Sequence, residues 1–179
     1  MSEAEVVVEG YARASQQLTF ETIVPIDLTL VFTGFGPLPA VVGRRDQTGP
    51  WNQVGASRVV ELSDGTEAQE QITAHEPYSY FAYRVGRFTG PLRLAASHAD
   101  GQWWFAEVGE QQTHIRWSYR VRLDTLLAPA AQPILPRVWR LYARRVLKLA
   151  IAEVERVADA QRRTTMQWSP ELSRRVPRA

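Results

Sequence analysis

The chain has 179 residues, 45% of them hydrophobic and 22% charged, with a formal net charge of +2; this is the profile of one soluble globular domain with a sizeable core. It contains no cysteine, which excludes disulfides, thiolate nucleophiles and cysteine-based zinc or iron–sulfur sites. No apolar run reaches membrane-spanning length and Met1–Gly10 carries no signal-peptide pattern, so a cytoplasmic protein is expected.

In chain order, Ser2–Ala14 reads as a polar extension with one β-like run, Val6-Val7-Val8. Gln17–Val24, through Leu18, Phe20 and Ile23, reads as the first long strand. Pro25 and Asp27 then signal a helix start, because proline tolerates the first turn and aspartate complements the N-terminal dipole. Leu28, Val31, Phe32 and Phe35 follow at helical spacing until Gly34, Gly36, Pro37 and Pro39 break it. Two short helices are expected between Asp27 and Gln53. Leu38–Gln53 is otherwise an irregular loop around the lone aromatic Trp51.

From Val54 to Leu123 the pattern is an antiparallel meander. Its strands are Ala56–Leu62, Thr66–His75, Tyr78–Val85, Pro91–Ala99, Gln102–Val108 and Thr113–Leu123, rich in β-branched and aromatic residues and separated by turn signals. The first hairpin fixes the register. Ser63-Asp64-Gly65 suits a three-residue loop with glycine in the left-handed position, which sets Val60 against Ala68 and Arg58 against Glu70. A two-residue loop would place Leu62 against Glu67 and mix charge into an apolar face, so it is rejected.

Asp124–Pro136, with three prolines, is a connector. Arg137–Ala160 is the strongest helix, with Val138, Tyr142, Val146 and Leu149 on one face and Arg137, Arg140, Arg144, Arg145 and Lys148 on the others. Residues 1–123 hold 10 arginines against 14 carboxylates, whereas residues 124–179 hold 11 basic groups against 5. Residues 1–160 are thus read as one domain, with 1–14 as its N-terminal extension and 161–179 as a basic, flexible tail.

The run from Val54 to Val85 resembles the START-like SRPBCC superfamily, especially its polyketide cyclase/dehydrase-type bacterial members. The resemblance is carried by Gly55 with Arg58, the Asp64-Gly65 turn, Glu70 with Ile72, the Glu76-Pro77 break and Tyr83. Trp117 and Tyr119 on the last strand add to it, and it covers about Thr19–Ala160. It implies an α+β helix-grip fold: a seven-stranded curved antiparallel sheet wrapped around a long C-terminal helix, with two short helices after the first strand. It also implies a deep hydrophobic cavity and ligands of lipid or polyketide kind. The segments before Thr19 and after Ala160 depart from the family's pattern.

Within such a cavity Arg58 and Glu70 form the sharpest pair. Glu70 would act as general base and Arg58 would hold a ligand carboxylate or enolate oxygen; on the plainer reading they neutralise each other as an anchor in the sheet. Tyr83 adds a third polar group to the candidate catalytic set. Val60, Ile72, Phe81, Tyr83, Trp117, Tyr119, Val138 and Tyr142 are expected to surround a pocket of roughly 300–1,000 Å³, with Trp104 in the same aromatic group and His98 at the mouth. The meander places His75 and His98 at one edge of the sheet and His114 at the other, so no metal site is expected. Phosphate-binding loops, nucleophile elbows and metal-ligand spacings are absent, and no cofactor is expected.

These readings lead to a carrier of an apolar or aromatic small molecule, or to a cofactor-independent cyclase, dehydratase or lyase using Glu70, Tyr83 and Arg58. A third option is an interaction module acting through the basic tail. The expected partners are a hydrophobic small molecule and, left open by the sequence, a second copy of the chain in a homodimer. Nucleic acid and integral membrane are not expected.

Overall fold

The computed structural model describes residues 2–123, 128–131 and 133–168. Among these, eight strands form one antiparallel sheet: β1 (Ser2–Ala12), β2 (Thr33–Phe35), β3 (Leu38–Arg45), β4 (Ser57–Leu62), β5 (Glu67–Glu76), β6 (Tyr80–Gly86), β7 (His98–Gly109) and β8 (Gln112–Leu123). Their spatial order is β1-β8-β7-β6-β5-β4-β3-β2. Helices α1 (Gln16–Ile23) and α2 (Leu28–Val31) connect the two edges, and α3 (Ala128–Ala131) and α4 (Leu135–Trp168) follow β8. The curled sheet grips α4. This is the α+β helix-grip arrangement, with eight strands rather than the expected seven.

Alternation explains the sheet's two faces. On β1, Val6 and Val8 turn inward and are buried, while Glu3, Glu5 and Glu9 turn outward to Arg122, Arg120 and Arg116 of β8. Exposed pairs of this kind are each worth under about 1 kcal/mol, so the apolar face carries the stability. Across the core α4 presents Tyr142, Val146, Ala150, Val154 and Ala158, four residues apart and all buried. A fully buried valine contributes about 1.5–3 kcal/mol. The helix can lie close to β1 because residue 10 is glycine: a Cβ there would stand 2.6 Å from Ile151 Cδ1. Arg13 adds an exposed tie from the end of β1 to Glu155 on α4.

Before the meander, four expectations are corrected. Residues 2–12 are not an extension but the first strand, paired along its whole length with β8. Gln17–Val24 is helical: Ser15 accepts a hydrogen bond from the Leu18 N–H as N-cap, and Thr19, Phe20 and Ile23 form its buried stripe. An interval of three separates Phe20 from Ile23, which suits a helix face better than a pleat. The helix expected from Pro25 shrinks to one turn capped by Asp27. Leu38–Arg45, expected as irregular, is β3.

In the meander, Pro91–Ala99 is not a strand. Pro91–Leu94 forms a single 3-10 turn after Gly90, whose φ is 68°. Asp100-Gly101, a turn signal by composition, instead lies inside the continuous strand β7. At the other end, α4 runs through Trp168, so residues 161–168 of the expected tail are helix; 169–179 lie outside the described residues, as do 124–127 and 132 of the connector.

Candidate functional site

The β4–β5 hairpin builds the site's charged floor. Gly65 adopts φ 78°, the Leu62 N–H donates to the Thr66 carbonyl at 2.9 Å, and Asp64 accepts from the Thr66 N–H. The register is the three-residue-loop register: Val60 faces Ala68 and Arg58 faces Glu70. Both charged side chains point into the concave face and are buried. Arg58 Nε and Nη2 donate to Glu70 Oε2 at 2.7 and 2.6 Å.

Two further features define this pair. Trp51, from the loop after β3, lies over the guanidinium with its ring centroid 3.8 Å from Arg58 Cζ, a cation–π contact that is strong when desolvated. Arg58 Nη1 is buried and has no hydrogen-bond partner among the described residues. A buried donor left unpaired costs about 1–3 kcal/mol. Burial pushes the Glu70 carboxyl above its usual range, with the Arg58 charge pulling the other way.

Two voids flank the pair. The smaller, about 30 Å³, is lined by Trp51, Arg58, Glu70, Phe81, Tyr83 and Trp103 among others. The larger, about 130 Å³, is lined by Val60, Ala68, Glu70, Tyr83, Tyr119 and Tyr142, with a rim drawn from element ends: Leu38, Pro39, Leu62, Phe88, Leu92 and Trp139. Leu28, Phe32, Glu70 and Tyr83 line both and so divide them.

The cavity is smaller than expected because the aromatics fill it. Trp117 stacks on Trp103 at 4.6 Å and meets Phe32, Tyr119 and Trp139 edge-on. Tyr119 packs against Trp139 at 4.3 Å. Tyr142 is held by Phe32, Phe35 and Trp139, and its hydroxyl accepts from the Gly34 N–H at 3.0 Å. Burial raises Tyr83 well above its ordinary range, with the Glu70 charge adding to the effect. Tyr119 is raised for the same first reason. Both phenols therefore stay protonated at neutral pH.

Of the residues singled out in the sequence, Val60, Tyr119 and Tyr142 line the larger void, Phe81 and Arg58 the smaller, and Glu70 and Tyr83 both. Ile72 and Trp117 are buried in the core behind the lining, and half-buried Val138 touches neither void. His98 and Trp104 are misplaced by the sequence reading. In β7 the inward positions are Ala99, Gly101, Trp103 and Phe105, so both project from the convex face. Trp104 lies there under the Arg116 guanidinium and beside Tyr80. His98 contacts the Ser97 hydroxyl.

The loss of the Pro91–Ala99 strand also moves the histidines. His98 stands opposite Gly86 at one end of the sheet, while His75, opposite Phe81, lies toward the other end. No group of three metal-ligating side chains occurs among the described residues. Sequence reasoning missed Trp51 as the cover of Arg58, and missed Phe32, Phe88 and Leu92 as lining. Only Trp51 carried a signal, as an isolated aromatic in a polar loop.

No protein-family model matches the chain, and no curated protein matches it in sequence. Solved structures do match. Norcoclaurine synthase from Thalictrum flavum superposes with a TM-score of 0.62 at 12% identity, over 88% of this chain and 87% of that one. Another structure of that enzyme is in complex with dopamine and hydroxybenzaldehyde. The Zhui aromatase/cyclase from Streptomyces sp. R1128 gives 0.61 at 16%, over 87% and 95%, and Ara h 8.0201 gives 0.60 at 13%, over 86% and 98%. The fold these structures share with the chain is the helix-grip fold. At these identities the likeness speaks for fold alone.

Proposed function

We propose that the chain binds an apolar or aromatic small molecule in the cavity between the sheet and α4, with an oxygen of that molecule directed at the Arg58–Glu70 pair. The observation that carries this reading is the larger void, about 130 Å³ and apolar in its lining, with the buried Glu70 carboxyl in its wall and Arg58 bonded to that carboxyl. The lining supports an apolar body, and the Glu70 carboxyl at the wall supports an oxygen at its end.

A second reading is supported by Glu70. A carboxyl raised by burial, within a cavity and beside a fixed cation, has the make-up of an acid–base group. On this reading the chain is a cofactor-independent cyclase, dehydratase or lyase: Glu70 moves the proton, Arg58 holds the developing oxyanion, and the protonated Tyr83 donates a hydrogen bond. Native mass spectrometry of the purified protein, with extraction of the co-purifying molecule, tests the first reading. An Arg58→Met variant that retains the same molecule with unchanged affinity counts against it. Incubation of the extracted molecule or its precursor with wild type and Glu70→Gln tests the second.

A further inference from the structure

The cavity's depth is decided by a glycine. Ile72, Tyr83, Gly101, Tyr119 and Val6 form one cross-strand row over five strands. Gly101 is the gap in that row, between two tyrosines that border the larger void. A Cβ built on it would stand 2.3 Å from Tyr83 Cζ and 2.7 Å from both Cε2 and the hydroxyl oxygen. The phenol ring thus lies over the glycine's backbone, where any side chain would displace it. The clash differs from the one at Gly10, which meets only the tip of Ile151. Here the contact is with the ring itself, and the whole ring must move.

Seated on Gly101, Tyr83 leaves the larger void open and, with Leu28, Phe32 and Glu70, divides it from the smaller one. The larger void, about 130 Å³, approaches the roughly 150 Å³ that a single benzene ring fills in a dry protein cavity. The void beyond the partition, about 30 Å³, has room on the scale of one water. An acyl chain has nowhere to run past Tyr83.

We infer that Gly101 and Tyr83 together set the ligand's size, and that the cavity takes a molecule whose apolar body is one ring, its oxygen turned toward Glu70. The inference rests on the small-molecule reading above and narrows its substrate class. Gly101 acts through Tyr83 and is a positioning residue.

The test is calorimetric titration of wild type, Gly101→Ala, Tyr83→Phe and Tyr83→Ala with 4-ethylphenol and with dodecanoate, each variant first checked for a cooperative melt. Wild type is expected to prefer 4-ethylphenol by tenfold or more, and Tyr83→Phe, which keeps the ring but not the hydroxyl, to bind 4-ethylphenol more weakly while still excluding dodecanoate. Gly101→Ala should lose at least tenfold in that affinity as the ring is pushed into the void, and Tyr83→Ala should gain dodecanoate binding as the voids join. Should Gly101→Ala fail to fold, the wild-type preference and the Tyr83 pair decide. Wild type that binds dodecanoate as tightly as 4-ethylphenol overturns the inference and leaves the cavity reading standing; so does a Tyr83→Ala profile identical to that of Tyr83→Phe. Absence of binding by both probes to every folded variant overturns the cavity reading and this inference with it.

Discussion

Replacing Glu70 with glutamine keeps the side chain's shape and removes its charge, so it asks what the buried carboxylate does to folding. Burial disfavours the ion, and two short hydrogen bonds from Arg58 favour it. Burial is the larger effect, and Glu70 titrates above its ordinary 4.5. A carboxyl raised in the folded state binds more protons folded than unfolded. Its contribution to stability is therefore fully present below pH 4.5 and is lost as pH rises through the folded pKa.

Each tenfold difference in proton affinity is worth about 1.4 kcal/mol, or about 3–6 °C in Tm for a chain of this size. Thermal melts of wild type and Glu70→Gln across this range should show the variant gaining on wild type as pH rises, then a constant offset. The opposite slope would refute the reasoning. It would mean that the Arg58 attraction outweighs burial and that Glu70 is a stabilising partner whose loss costs about 3–5 kcal/mol. A paired anchor, the plainer reading of the sequence, implies that opposite outcome.

Two further substitutions probe the frame. Arg58→Met leaves the Glu70 carboxyl buried without its cation; stability at neutral pH should fall by about 3–5 kcal/mol and recover on acidification, as read by denaturant melts at both pH values. Gly10→Val should cost about 1–3 kcal/mol by overpacking β1 against α4, whereas Gly10→Ala needs only a rotation of Ile151; equal midpoints for the two in urea would show that α4 does not rest on β1 at that point.

What the sequence made legible was local. Ser63-Asp64-Gly65 has one comfortable hairpin geometry, and that geometry alone places Arg58 opposite Glu70. The long helix was equally readable, since its buried positions recur every four residues. What stayed hidden was decided by partners far away in the chain. Asp100-Gly101 has the composition of a turn, yet Gly101 is held in β7 between Tyr83 and Tyr119, whose strands are set by the whole meander. Val6-Val7-Val8 reads as weak until β8 supplies its partner and a row of arginines for its glutamates. The cavity's size was hidden for the same reason: aromatic residues at inward positions can line a space or fill it. Here the stack of Trp103 and Trp117 fills it.

The raised carboxyl and the unpartnered guanidinium N–H also make binding and protonation one event. A ligand seated in the larger void covers the side of Glu70 that lines it and desolvates the carboxyl further. If the ligand is anionic, it also places a second negative charge near the same guanidinium. Both effects push Glu70 further up. The complex then holds its proton more tightly than the free protein, so binding takes up a proton in the interval between the two pKa values. By reciprocity, affinity falls as pH rises through that interval. Titration calorimetry of 4-ethylphenol in two buffers of different ionisation enthalpy measures this directly. Heats that differ between the buffers, with the difference lost in Glu70→Gln, are expected. Buffer-independent heats at every pH above 4.5 would place the bound molecule away from Glu70, and with it the oxygen-directed half of the proposed function would fall.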